Sequence, residues 1–260
     1  MRDYGVGPID VEGCVTSAMV LRGDLPPEAV PDVIERDRLH MAARPGLYIK
    51  LLPVLRDPAN GNVLTGGAYL FDRYAQAEAF DHWTANEFVV DGVPFVQMPA
   101  LLSRTSKVWR VAGAENFAAV AGQQVVMRVE EWRVPAGVHL RDLRHDWPEL
   151  RAQARTRGLS AAWLLGSEAR GEIGLVSAGP RVDGPATAGP DLASLEALAD
   201  TPSLGTRYEA GGARKLYERT SFVFTVWFPL TGAGADRAPL WPNSPPLPAP
   251  STPERAVQRR

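Results

Sequence analysis

One cysteine, three lysines and no long apolar run set the outer limits of this 260-residue chain. Cys14 alone can close no internal disulfide and build no Cys-rich zinc site. Lysine occurs only at Lys50, Lys107 and Lys215, and the net charge is −2, so no basic field invites nucleic acid or an anionic membrane. No stretch reaches the ~20 apolar residues that span a bilayer. The start, MRDYGVGPIDVEG, lacks the apolar core of a secretion signal. A soluble, cytoplasmic protein is expected. Gly-x-Ser-x-Gly is missing, so there is no nucleophile elbow. The glycines of GPIDVEG, GAENFAAVAG and DPANGNVLTGG stand outside a strand-GxGxxG-helix context and precede no Walker lysine. His139 and His145, with Asp142 and Asp146 nearby, match no metal-ligand spacing. No cofactor and no metal is expected.

What is present is order. GCVTSAMVLR (13–22) reads as a strand and PPEAVPDVIERDRLHMAAR as a helix stopped by Pro45-Gly46. LYIKLLPVL and LTGGAYLF read as strands joined through the turn DPANGN. A helix from about Ala75 to Phe88 and the strand SKVWRVA (106–112) complete a β-α-β-β-α-β unit, the ferredoxin-like arrangement. The second half repeats it: QQVVMRVEEWRV (123–134), a helix from Leu140 interrupted at Pro148, the hairpin LSAAWLLG/GEIGLVSA, the short helix DLASLEALAD, and RTSFVFTVWFPL (219–230). The joints RPGLYIKLL and TRGLSAAWLL fall at matching places. The expected fold is α+β: two tandem ferredoxin-like units, 1–118 and 119–230, forming an intramolecular dimeric α/β barrel. A Pro-rich tail, 231–260, is expected to be disordered.

The strands are apolar on both faces, so each sheet needs a second cover besides helices. Leu47, Ile49, Leu51, Ala68 and Leu70 form an aliphatic set suited to the helix layer. Tyr48, Lys50, Tyr69 and Phe71 form the alternate set, suited to a space between two facing sheets. Such a space, aromatic with few polar groups, has the composition of a small-molecule site.

PGLYIKLL, GGAYLF and the helix segment Phe80-Asp81-His82-Trp83 resemble the antibiotic-biosynthesis-monooxygenase-like dimeric α/β barrels. The resemblance covers about residues 44 to 112. It implies a barrel usually made by two copies of one unit, and activities that include cofactor-independent oxygenation of aromatic polyketides, quinol oxygenation and haem degradation. Haem-degrading members carry an iron-ligating histidine about ten residues after the tryptophan; here that place holds Val93. Cofactor-independent members use tryptophan, asparagine and sometimes arginine or tyrosine around the pocket, and Trp83 and Asn86 lie on the matching helix.

Each candidate also has a plain structural reading. Ala77, Phe80, Thr84 and Phe88 make the sheet-facing stripe of the helix. Trp83 flanks the stripe, as core edge or pocket wall; His82 points further toward solvent, and Asn86 is exposed or shares the face of Trp83. Lys50 is either a cavity amine that stabilises an anionic substrate or a side chain snorkelling to the rim. Arg128 and Glu130, on the same side as Trp132, are either an inward ion pair or an edge feature. His40 suits the negative pole of its helix. Tyr48, Tyr69, Trp83 and Lys50 are the expected catalytic set, with His82 or His40 as a further base. His82, Asn86, Phe71, Trp109 and Arg128 are the expected substrate contacts. The expected function is a cofactor-independent monooxygenase acting with molecular oxygen on an aromatic or polyketide-like small molecule, with oligomerisation possible but not required. The alternatives are a cyclase, isomerase or dehydratase on the same fold, or a non-catalytic binding barrel.

Overall fold

A computed structural model describes residues 6–23, 30–57, 59–118, 125–180 and 203–227. The elements run β1 (Gly7–Pro8), β2 (Gly13–Leu21), α1 (Val30–Met41), β3 (Leu47–Arg56), β4 (Val63–Phe71), α2 (Tyr74–Asn86), β5 (Val89–Val90), β6 (Val93–Pro94), β7 (Leu101–Asn116) and β8 (Val125–Arg133). They continue with α3 (Leu140–Thr156), β9 (Ala161–Ser167), β10 (Glu172–Pro180), α4 (Thr206–Ala210) and β11 (Arg214–Trp227). The expected helix at 191–200 and the Pro-rich tail lie outside the described residues.

The eight long strands close on themselves in the order β7-β2-β4-β3-β11-β8-β10-β9, with β9 pairing back to β7, every pair antiparallel. The quartet β2, β3, β4, β7 and the quartet β8, β9, β10, β11 have the same spatial order: fourth, first, third, second. The sheets therefore meet at their edges and do not stack as two facing layers. Pairing β3 with β11 and β7 with β9 satisfies backbone groups that an open edge would leave bare. Among the described residues, no helix is long and apolar enough to cross a membrane.

An eight-stranded barrel has an interior just wide enough for side chains to fill. Cys14, Ile49, Leu51, Ala68, Leu70, Trp109, Met127, Trp163 and Val176 fill it here. This corrects the expected parity: Ile49, Leu51, Ala68 and Leu70 face the barrel interior, while Lys50, Tyr69 and Phe71 face the helices, as Leu47 does in keeping with its expected place. Tyr69 and Phe71 stack on Phe80 of α2, with centroids 4.8 and 5.1 Å apart, which gives the bulky rings partners that the narrow interior lacks. Tyr48 alone of its set points inward, because the ladder shifts between Leu47 and Ile49 and the bulged residue joins the other face.

Two further corrections concern the second quartet. α3 runs unbroken through Pro148, which costs the Arg144 carbonyl its helical donor without ending the helix. Its inner side holds buried Leu143, Leu150 and Ala154, and Arg151 and Arg155 close on the buried Glu115 of β7. On β8, Arg128 and Glu130 lie on the same outward face as Trp132 and Val126, not in the barrel. Arg128 Nε is 3.3 Å from Glu218 of β11 and Lys215 Nζ is 3.8 Å from Glu130, so each charge faces an opposite one along the sheet.

Candidate active site

Two of the four expected catalytic residues, Lys50 and Tyr69, meet between α1, α2 and the first quartet. β3 and β4 place Lys50 opposite Tyr69 in register. The Lys50 amine, only 2% exposed, lies 4.6 Å above the Tyr69 ring and 3.6 Å from the sulfur of Met41, the last residue of α1. The Tyr69 hydroxyl donates to the same sulfur at 3.8 Å and hydrogen-bonds with Ser17 of β2. Burial pushes the Lys50 pKa down to about 7, and the nearby carboxylate of Asp37 pulls it back up. Burial also raises Asp37 itself. The Tyr69 phenol is raised by burial, with Arg104 acting against the rise, so it is a proton donor at neutral pH and not a base.

A narrow pocket of about 10 Å³, the room of one water, remains beside this group. Phe80 and Phe95 wall it on one side, and Ser17, Ser106, Thr84 and Arg104 supply its polar groups. Arg104 Nη2 donates to Thr84 Oγ1 at 2.9 Å and meets Asp81 Oδ1 at 3.3 Å, while Ser106 Oγ donates to the same carboxylate oxygen at 2.5 Å. A cation and a phenol thus line one small space, and the Lys50 amine lies over the ring of that phenol. That set can take a proton from an acidic C–H or O–H and hold the resulting anion.

The other expected residues fall at different distances from it. Trp83 is half-buried and joins the aromatic chain Phe80–Trp83–Phe88–Phe95, with the Arg44 guanidinium 4.2 Å over its ring. It stands behind the pocket's wall. His82 and Asn86 are exposed and bond to each other at 3.2 Å, with Glu87 3.6 Å from His82. His40 is exposed and stacks near Phe88. Phe71 is buried in the helix layer, and Tyr48 and Trp109 belong to the barrel interior. Trp109 donates from Nε1 to Thr16 Oγ1 at 2.8 Å. Val93 lies on the surface hairpin β5–β6 and is 36% exposed, so the place of the haem-ligating histidine holds no donor and lies on the surface. Among the described residues, no three metal-ligating side chains converge.

Sequence reasoning missed Arg104, Ser17, Ser106, Met41 and Asp37. Arg104 and Ser106 share one face of β7 at alternate positions. The expected strand began at Ser106, which left Arg104 in a loop. Inside the barrel it also missed a charged group: Lys107 Nζ is 2.6 Å from Glu131 and 2.9 Å from Glu172, and Arg133 and Arg170 reach Glu172 at 2.9 and 3.0 Å.

No family model and no curated protein matches the chain. Solved structures do. An anthrone oxidase-like protein superposes with a TM-score of 0.51 at 15% identity, covering 85% of this chain and 96% of its own. A candidate monooxygenase from Lactobacillus acidophilus NCFM gives 0.47 at 11%, covering 82% and 93%. Another from Fusobacterium nucleatum subsp. nucleatum ATCC 25586 gives 0.46 at 8%, covering 82% and 91%. At such identities the likeness concerns the fold. The chain has the dimeric α/β-barrel fold of the antibiotic-biosynthesis-monooxygenase-like proteins.

Proposed function

We propose that this chain is a cytoplasmic, cofactor-independent monooxygenase of electron-rich aromatic compounds, with its site in the pocket between α1, α2 and the first quartet. The observation that carries the reading is the buried Lys50 amine over the Tyr69 ring, with Arg104 lining the same small pocket as that phenol. Lys50, neutral in a good fraction of molecules at pH 7, takes the proton from an activated ring carbon or phenol. Arg104 and the Tyr69 hydroxyl stabilise the anion. The electron-rich carbanion gives an electron to molecular oxygen and the pair recombines to a carbon-bound peroxide, protonated by Lys50. Loss of the second C–H proton then breaks the O–O bond, leaving a carbonyl and water. One CH₂ and one O₂ become one C=O and one H₂O, so no outside reductant is needed.

The matching strand orders support two tandem ferredoxin-like units, 1–118 and 119–230, followed by the tail 231–260. With both units in one chain, further oligomerisation is unnecessary for closing the barrel. Oxygen uptake with anthrone and simple hydroquinones tests the function. Uptake should survive a chelator and fall at least tenfold in Lys50→Met; uptake abolished by the chelator, or none with any electron-rich aromatic, would overturn it. The same amine–phenol pair also suits an isomerase or dehydratase, for which turnover would be unchanged under nitrogen.

A further inference from the structure

A second cavity, of about 170 Å³, opens toward the barrel interior and shares Ser17 and Ser106 with the pocket beside Tyr69. Met127 and Val129 give it an apolar wall, and Lys107, Glu131, Tyr217 and Arg219 bring polar groups to it. Its two cations are compensated very differently. Lys107 is held by Glu131 and Glu172. Arg219 donates to the Thr65 carbonyl at 2.9 Å and, among the described residues, meets no carboxylate within ion-pair distance. Burial acts against its charge and lowers its pKa. Arg219 is half-buried, and a guanidinium drawn partly out of water without an anion carries a cost that a ligand bringing the negative charge offsets. Tyr217 stands two residues before it on β11, opposite Glu131 in the ladder, and its phenol is raised by burial, so it remains a donor.

We infer that this cavity is a second ligand site, centred on Arg219 and bordering the pocket beside Tyr69, which takes a single-ring aromatic carboxylate with its carboxylate on Arg219. The planar fork of arginine matches a carboxylate in two parallel hydrogen bonds, which a lysine cannot do. A cavity of about 150 Å³ is known to accept benzene, so this one has room for one ring. The ring lies against Met127 and Val129. A ring hydroxyl reaches the Lys107–Glu131 pair at the mouth, where the lysine side chain is 27% exposed.

Calorimetric titration of the full chain under nitrogen tests this. 4-Hydroxybenzoate should bind one to one, and 4-hydroxybenzamide, of equal shape but neutral, at least tenfold more weakly. Arg219→Gln should lower 4-hydroxybenzoate affinity at least tenfold, with Arg219→Lys intermediate. Lys50→Met should leave it unchanged, which separates this site from turnover at the other. Equal binding of acid and amide, no binding of the acid at millimolar concentration, or full affinity in Arg219→Gln would overturn the inference. Should Arg219→Gln fail to fold, the acid–amide comparison on the unaltered chain decides.

Discussion

Lys50 and Tyr69 sit directly across from each other on β3 and β4, with the amine 4.6 Å from the ring centroid. The second quartet has the same joint: Gly46-Leu47 leads into β3 as Gly158-Leu159 leads into β9, both glycines having positive φ. Counting on from the glycines, Ile49 and Ala161 both face the interior, and Leu52 and Leu164 both face the helices. The residue matching Lys50 is then Ala162, and its cross-strand partner is Ser177. The amine and the phenol therefore belong to one quartet only. At that place the second quartet has an apolar residue and a small hydroxyl.

Replacing Lys50 by Met should change stability in a pH-dependent way. Its pKa falls from 10.5 to about 7 on folding, so between those values the unfolded chain binds more protons. Stability should then rise with pH from about 7 to 10.5, the cost of the buried charge being greatest at and below neutrality. Lys50→Met should flatten that slope and raise the melting temperature more at pH 6 than at pH 10. Parallel melting curves for the two proteins across this range would show that the amine is not buried as described.

Met41 occupies the space between the two functional groups. Met41→Ala should cost about 2–4 kcal/mol in urea unfolding. It should also enlarge the pocket enough for phenol to bind and raise the melting temperature, an effect absent in the unaltered chain. The thioether is flexible, which suits a side chain that gives way to substrate.

Gly66 has φ +143°, and a Cβ there would lie 2.0 Å from the Ser17 carbonyl oxygen, which is backbone and cannot swing aside. Gly66→Ala should lose roughly 3 kcal/mol or more, or fail to accumulate as folded protein. Gly61, also at positive φ in the β3–β4 turn but with open space around it, should accept Asn at little cost. Urea midpoints of the two variants provide the comparison.

Cys14 is fully buried in the barrel, and burial raises its thiol pKa. An aromatic disulfide reagent should find no reactive thiol in the native chain and one equivalent in denaturant. The slow labelling rate in buffer would then measure opening of the barrel.

Element order and the two quartets were legible because glycines, prolines and apolar runs mark the joints at the same places in both halves. Side-chain direction was not. The extra residue at Tyr48 reverses the alternation along β3, and no residue type announces a bulge. The helix stripe Ala77, Phe80, Thr84 was read correctly, since a 3.6-residue period needs no knowledge of the partner. Lys50 stands out in the sequence as a residue hard to explain in a core, and Tyr69 reads equally as packing or cavity wall, but the face of the sheet expected to hold them is the wrong one. Arg219 and Glu131 escaped notice because an alternating charge in a strand reads as a solvated edge until the ring closes over it.

Both seams of the barrel, β3 with β11 and β7 with β9, join one quartet to the other within a single polypeptide. In a ring assembled from two identical copies, any substitution is imposed twice, so a gain on one side is tied to its cost on the other. Here each half can drift alone. One can keep a chemically awkward buried amine while its counterpart is free to specialise in holding the ring shut.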